Sequence, residues 1–198
     1  MPYAPDHKPK TRERILTSAA QLFTQFGYER VSIDQIMAHA GLTRGAFYSH
    51  FPDKSTLYAA ALQHTSYERF RRYRQEMDAG ASLAHLIEGY LHPDHVNATT
   101  SPCALAFLIS DISQRDTQVR ETYTHVYKNL LNGLQNLDTL EQRERLTCLA
   151  VSTLMIGGVA IGRALADQAV TQELLEACKT ISLQLLQVQP SEYETTNN

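Results

Sequence analysis

The stretch Val31–Phe51, VSIDQIMAHAGLTRGAFYSHF, followed by Pro52-Asp53-Lys54, constrains this chain more than any other part of it. It encodes two short helices joined by a tight turn. Ser32 is a strong helix N-cap, and Gln35 three residues later completes a capping box. Ile33, Ile36, Met37 and Ala40 supply an apolar face at helical spacing. Gly41 ends that helix, because glycine takes the left-handed cap without a Cβ penalty. Thr43 caps the next helix, which is expected to run to about Phe51. Leu42, Phe47 and Phe51 point inward, leaving Thr43, Arg44, Gly45, Ala46, Tyr48, Ser49 and His50 for the outer face. Small residues flanked by Thr, Arg, Tyr and His suit close approach of a helix to a DNA groove.

The rest of the chain reads as helix throughout. A first helix is expected from Thr11 to Phe26, with Ile15, Ala19, Leu22, Phe23 and Phe26 on one stripe and Gly27 as its stop. Residues 1–9 are Pro-rich and polar, a flexible arm in which Lys8, with Lys10, Arg12 and Arg14 beyond it, is placed to touch phosphates. A fourth helix, capped by Asp53 or Ser55, is expected to reach about Met77, where Ala79-Gly80 breaks it. Its length is roughly 35 Å at about 1.5 Å per residue. Another helix begins near Ser82. HPDHVNATTSP, His92 to Pro102, reads as a polar loop. Helical sequence resumes at Cys103–Ser113 and Gln118–Leu137, and Asp138-Thr139 marks a turn. A long helix follows from Glu141 to Asp167, and Thr171 caps a last one to about Val188. With no convincing strand alternation, the expected fold is all-α. The expected organisation is a helix-turn-helix domain over 1–54, a helical domain over 55–188 and a polar tail over 189–198.

Charge is distributed unevenly. The 198 residues carry a net charge of −3, yet residues 1–74 hold 11 Lys and Arg against 6 Asp and Glu. Residues 75–198 hold 7 against 15. A basic module on an acidic remainder fits DNA contact by the first part alone. The N-terminus lacks the apolar core of a secretory signal, and no apolar run reaches the roughly 18 residues of a membrane span. Three cysteines at 103, 148 and 178 have no metal-ligand spacing and form no even disulfide set, so a reduced, cytoplasmic location is expected. His92, Asp94 and His95 lie close in sequence but lack a second ligand pair, and they read as surface residues. There is no Ser/His/Asp signature, phosphate-binding glycine loop or HExxH motif, so neither an enzyme nor a cofactor or metal is implied.

The block from Thr11 to about Leu62, TRERILTSAAQLFTQFGYERVSIDQIMAHAGLTRGAFYSHFPDKSTLYAAAL, resembles the TetR family of bacterial transcriptional regulators. The TRERIL start, the AAxLFxxxGY helix end, the SIDQI…AG turn and the GAFYxHFPDK run occur in order at fixed spacing. The resemblance implies a three-helix DNA-binding domain followed by a helical ligand-binding and dimerisation domain. It implies a homodimer, probing a near-palindromic double-stranded operator, whose unknown small-molecule effector alters the spacing of two recognition helices through the fourth helix. A repressor is the expected role; an activator, or a DNA-binding protein without a ligand switch, is the alternative.

Carried onto matching positions, Thr43, Arg44, Gly45, Ala46, Tyr48 and His50 are contact candidates. Arg44 is the best base reader, because its fork matches guanine O6 and N7. Tyr48 and His50 are assigned to phosphates, and Lys54 and Ser32 look like phosphate clamps at helix starts. A packing role for His50 is the alternative. The family pairs its last two helices across the dimer, and here Gly157, Gly158, Ala160 and Gly162 form a small-residue strip. Close packing within one subunit is the competing reading. Tyr73, Tyr90, Phe107, Tyr123, His125 and Tyr127 are candidates for an effector pocket, although any helical core would carry such residues. Cys103 follows Pro102 at an expected helix start, where N–H groups favour a thiolate. It is either an electrophile or oxidant sensor or a buried inert thiol. Cys148 and Cys178 belong to apolar faces.

Overall fold

Residues that stop a helix set most boundaries in the first part of the chain. The computed structural model describes residues 7–97, 103–136 and 144–189. The start of the N-terminal arm, the end of the His92–Pro102 loop, the Asp138-Thr139 turn, the Glu141 helix start and the tail from Pro190 lie outside the described residues. Helix α1 is His7–Phe26, and Gly27 follows it at φ 79°. It begins four residues before the expected Thr11, so Lys8 and Lys10 are on the helix. Helix α2 is Ile33–His39, with the capping box formed at both ends: the Ser32 hydroxyl accepts from Gln35 N, and the Gln35 side chain accepts from Ser32 N at 2.8 Å. Gly41 takes φ 64°, the left-handed conformation expected of it.

Helix α3 is Arg44–Phe47, shorter than the expected span to Phe51. His50 N and Phe51 N both donate to Phe47 O, so the chain tightens into turns after Phe47. Pro52 disfavours helical backbone at Phe51 and ends the path there. Helix α4, Lys54–Asp78, matches the expected long helix, and Asp53 caps it by accepting from Thr56 N at 2.7 Å.

Helix α5 is Leu83–Tyr90, capped by Ser82. The expected polar loop after it contains a helical turn, α6, Pro93–Val96. Proline at N1 presets φ, and the His92 ring accepts from Asp94 N. The expected single helix over 103–113 is two turns, α7 Ala104–Phe107 and α8 Ile109–Ile112, separated at Leu108 with φ −112° and ψ 5°. Helix α9 is Thr117–Asn136, and α10 is Arg145–Ala164. Helix α11 is Gln168–Leu186, capped by Asp167, whose carboxylate accepts from Ala169 N and Val170 N. Thr171, the expected cap, instead donates to Asp167 O at 2.8 Å from within the helix. No strand occurs among the described residues, and the architecture is all-α as the sequence implies.

Contacts divide the chain into two compact units. The first draws on residues 1–68 and 99–126, the second on 69–98 and 127–198. The first has a core of Ile15, Ala19, Phe23, Val31, Ile36, Met37, Phe47, Phe51, Leu57 and Tyr58, joined by Leu108, Ile112 and Val119. Phe23 meets Tyr58 edge-on at 4.8 Å, the arrangement that ring quadrupoles favour. The second is organised by the α10–α11 pair, with α5 and α6 packed on it. Cys148 and Cys178 are buried in this unit, as their apolar faces require. By length and composition α10 is apolar enough to cross a membrane, which the count of uninterrupted apolar residues missed. Its buried face packs on α11, and the core helix of a soluble bundle has the same composition.

His95 is buried at 7% exposure, not on the surface as its polar neighbours suggest. Its Nδ1 lies 2.5 Å from the carbonyl oxygen of Tyr90. A carbonyl only accepts, so Nδ1 carries the proton and Nε2 is left as a bare acceptor with no partner among the described residues. Burial, and then the Arg69 guanidinium, pull its pKa from 6.5 down to about 4. The unfolded chain therefore binds more protons between those values. Stability is complete above the unfolded pKa and declines as pH falls toward the folded one, by at most about 3 kcal/mol. Urea unfolding at about pH 7.5 and about pH 5 should show this loss, and His95→Phe should shrink the difference between the two.

Candidate DNA-binding site

The outer face of α3 is positioned by what lies beneath it. Phe47 is fully buried and Phe51 is 2% exposed, so α3 and the turns after it are clamped to α1 and α2. Arg14 adds a polar clamp: its Nη2 donates to Ala40 O at 2.6 Å, closing the C-terminus of α2. Arg12 lies over the Phe51 ring, 5.0 Å from its centroid. These two arginines, expected to touch phosphates, hold the module together. The clamp also explains Gly41 a second way, since a Cβ there would stand 3.1 Å from Arg14 Nη2.

Thr43, Arg44, Gly45 and Tyr48 are exposed, while Ala46 and His50 are half-buried. Thr43 stands at the N-cap of α3 but makes no capping hydrogen bond. Arg44 Nη1 donates to Asp34 Oδ2 at 2.7 Å. The Tyr48 hydroxyl first, and then the Asp34 carboxylate, raise the Arg44 pKa above its ordinary value, so the guanidinium is charged at every working pH. His50 is pushed the other way by burial and by the charges of Lys8 and Arg12, so near neutrality it offers a neutral N–H. Ser32 is exposed, but its oxygen is already engaged as the α2 cap.

Lys54 sits half-buried at the start of α4, with its ammonium 4.1 Å from the centre of the Tyr28 ring. Burial lowers its pKa. The Arg115 guanidinium lies 4.7 Å from the same ring. Beside them is a hub that sequence reasoning missed. Asp111 Oδ2 accepts from the Tyr58 hydroxyl at 2.6 Å and from Tyr28 N at 3.1 Å. Arg115 reaches Asp111 at 3.8 Å and Glu29 at 2.5 Å, and the Ser55 hydroxyl donates to Asp116. Burial and the Asp111 carboxylate raise the Tyr58 pKa, keeping the phenol protonated as the donor. The signal available in sequence was the i, i+4 pair of Asp111 and Arg115 within SDISQRD, which has no meaning without its partners far away in the chain.

The pocket candidates and Cys103 divide between the units. Cys103, Phe107, Tyr123 and His125 fall in the first, and Tyr73, Tyr90 and Tyr127 in the second. Cys103 is 2% exposed, at the N-cap of a helix of only four residues. The Tyr123 hydroxyl donates to Leu105 O at 2.9 Å, and Tyr127 bonds to Ser152 at 2.9 Å. An open groove of about 500 Å³ lies beside Tyr123, lined by Ile109, Ile112, Thr117, Arg120 and Thr124. Between α1, α4 and α7 a space of about 10 Å³ has room for one water.

The glycine strip has two faces. A Cβ on Gly158 would meet Cys178 Sγ and a Leu91 methyl at 3.1 Å, and one on Gly162 would meet Thr171 at 3.3 Å. These two glycines let α10 pack within its own unit. Gly157 has open space above it, and Ala160 is half-buried. Among the described residues no group of three potential metal ligands occurs.

A short helix with an exposed, partly basic face, carried on two helices that share its core, defines a helix-turn-helix DNA-binding module. Residues 15–61 match the family model described as bacterial regulatory proteins, tetR family. The regulator AcrR of Shigella flexneri is 48% identical over 50 residues, 25% of this chain and 23% of its own length. The repressor BepR of Brucella suis is 40% identical over 53 residues, 27% of this chain and 25% of its own. The chain thus matches about a quarter of the length of these curated relatives. A TetR-family regulator from Cytophaga hutchinsonii superimposes with a TM-score of 0.75 at 15% identity, covering 96% of this chain and all of that one. The helix-turn-helix segment belongs to the TetR family, and the whole described chain has that family's fold.

The Asp111 hub has a measurable consequence. Asp111→Ala leaves the Tyr58 hydroxyl and Tyr28 N–H without their acceptor, and should lower stability by about 2 kcal/mol in urea titration. Tyr58→Phe, which removes only one donor, should cost about 1 kcal/mol.

Proposed function

We propose that this chain is a homodimeric transcriptional repressor that binds a near-palindromic double-stranded operator in the cytoplasm and releases it on effector binding. The exposed Thr43–Tyr48 face of α3, fixed on a buried core, carries this reading. Arg44 reads a guanine, Tyr48 and His50 contact phosphates, and Lys54 holds a phosphate at the start of α4. Thr43, Gly45 and Ala46 allow close approach to the groove. Ser32 contributes the N-terminus of α2 to the backbone contact, with its hydroxyl kept for the cap.

Dimerisation is supported by an apolar face on α10 and α11. Ile161, Val170, Ile181 and Leu185 are between 41% and 53% exposed, and Gly157 and Ala160 share the outward side of α10. A second copy of the chain covers such a face in a C2 pairing. Two recognition helices must lie about 34–36 Å apart to enter successive major grooves, so a small change in spacing releases DNA. The groove beside Tyr123 has a volume suited to a small organic effector. The deep burial of Cys103 favours a non-covalent effector over thiol modification.

Binding to the chain's own upstream intergenic DNA tests the regulator reading, and specific dimeric binding is the expected result. Arg44→Ala should cut discrimination between operator and random duplex by about 1–3 kcal/mol. Lys54→Ala should weaken binding to both duplexes and flatten the slope of log K against log salt by about one unit. Equal slopes for wild type and Lys54→Ala would remove the lysine from the phosphate contacts. For the dimer, Ile161→Asp combined with Ile181→Asp should shift sedimentation to a folded monomer and weaken operator binding at least about tenfold.

A further inference from the structure

Asp34 is the carboxylate closest to the proposed reading head, and nothing so far explains it. It lies in the first turn of α2, and its Oδ2 accepts from Arg44 Nη1 at 2.7 Å across the turn between the two helices. Both side chains are more than half exposed, at 57% and 60%. An ion pair this exposed contributes little to stability, because water screens it and two long side chains lose freedom to form it. Its effect on the geometry of Arg44 is larger. A guanidinium has five N–H donors in a planar fork, and the Asp34 carboxylate on Nη1 together with the neighbouring Tyr48 hydroxyl engages only part of them. Two of the remaining donors suffice for the paired O6 and N7 acceptors of guanine. An arginine already held in place loses less rotamer freedom on entering the groove.

The sign of the Asp34 charge matters as well. A carboxylate at a DNA-facing surface repels phosphates, so it weakens binding to every sequence. A residue that lowers general affinity while ordering the base reader raises the ratio of specific to non-specific binding.

We propose that Asp34 is a specificity-determining positioning residue, which holds the Arg44 guanidinium at the start of α3 with one edge presented to a guanine. This rests on the reading of Arg44 as the base reader. Its effect is on discrimination between sequences, with little on the fold.

The test starts from duplexes that the full-length wild-type protein selects from a randomised library. Affinity for a selected duplex and for a random duplex is measured for wild type, Asp34→Asn, Arg44→Ala, the double variant and Asp34→Glu, with circular dichroism and thermal melting to check folding. Asp34→Asn should lower the specific-to-random ratio about three- to fivefold while binding random duplex at least as tightly as wild type. The double variant should discriminate no worse than Arg44→Ala alone, because Asp34 acts through Arg44. Asp34→Glu, which keeps the carboxylate, should restore part of the ratio. An unchanged ratio in Asp34→Asn with a lowered one in Arg44→Ala overturns the role of Asp34 alone. So does tighter, equally selective binding by Asp34→Asn, which would mark the pair as a restraint on Arg44. An unchanged ratio in Arg44→Ala overturns the base-reader reading and the inference with it.

Discussion

Helix α3 has four residues, and an isolated helix of fewer than about twelve does not persist in water. Its existence therefore depends on burial of Phe47 and Phe51 in the core shared with α1 and α2. Each buried aromatic ring contributes about 1.5–3 kcal/mol, several times what a single surface ion pair supplies. The rest of the site follows from that anchoring. Arg44, Gly45 and Tyr48 point outward because Phe47 between them points inward. Caps at both ends of α2 then fix the angle at which α3 leaves the turn, with Ser32 and Gln35 at one end and the Arg14 guanidinium on Ala40 O at the other.

The same unit is tied to a segment more than fifty residues downstream. Asp111 accepts from Tyr58 and Tyr28, and Arg115 spans Asp111, Glu29 and the Tyr28 ring on which Lys54 also rests. These are charge-assisted bonds in a half-buried setting, where each polar group left unpaired is costly. Residues 109–116 and the start of α4 thus behave as one body with the helix-turn-helix.

Helix α10 meets two different demands on its two sides. Gly158 and Gly162 lie where a Cβ would crowd Cys178, Leu91, Thr171 or Val96, so their cost in helix propensity is offset by close packing inside the unit. Gly157 and Ala160 lie toward the other side, with Ile161 exposed beside them. The strip that reads as one continuous feature in MIGGVAIGRALA is therefore split by the helical period into an inner and an outer set.

Much of the local chemistry was legible in the sequence where a residue acts on its own neighbours, although Thr43 and Thr171 do not cap the helices assigned to them. The Ser32–Gln35 box, the left-handed Gly41, the stop at Gly27 and the helical period of the core positions follow from backbone sterics and spacing, and the structure repeats them. The all-α class and the exposure of Thr43, Arg44, Gly45 and Tyr48 were legible for the same reason. Tertiary structure alone decided what depends on partners distant in the chain. It made Arg14 a cap on the C-terminus of α2, buried His95 beneath a polar-looking segment, joined Asp111 to Tyr58, and divided four small residues between two faces. Those outcomes turn on the desolvation and pairing of side chains brought together by packing, and no local spacing encodes which groups will meet.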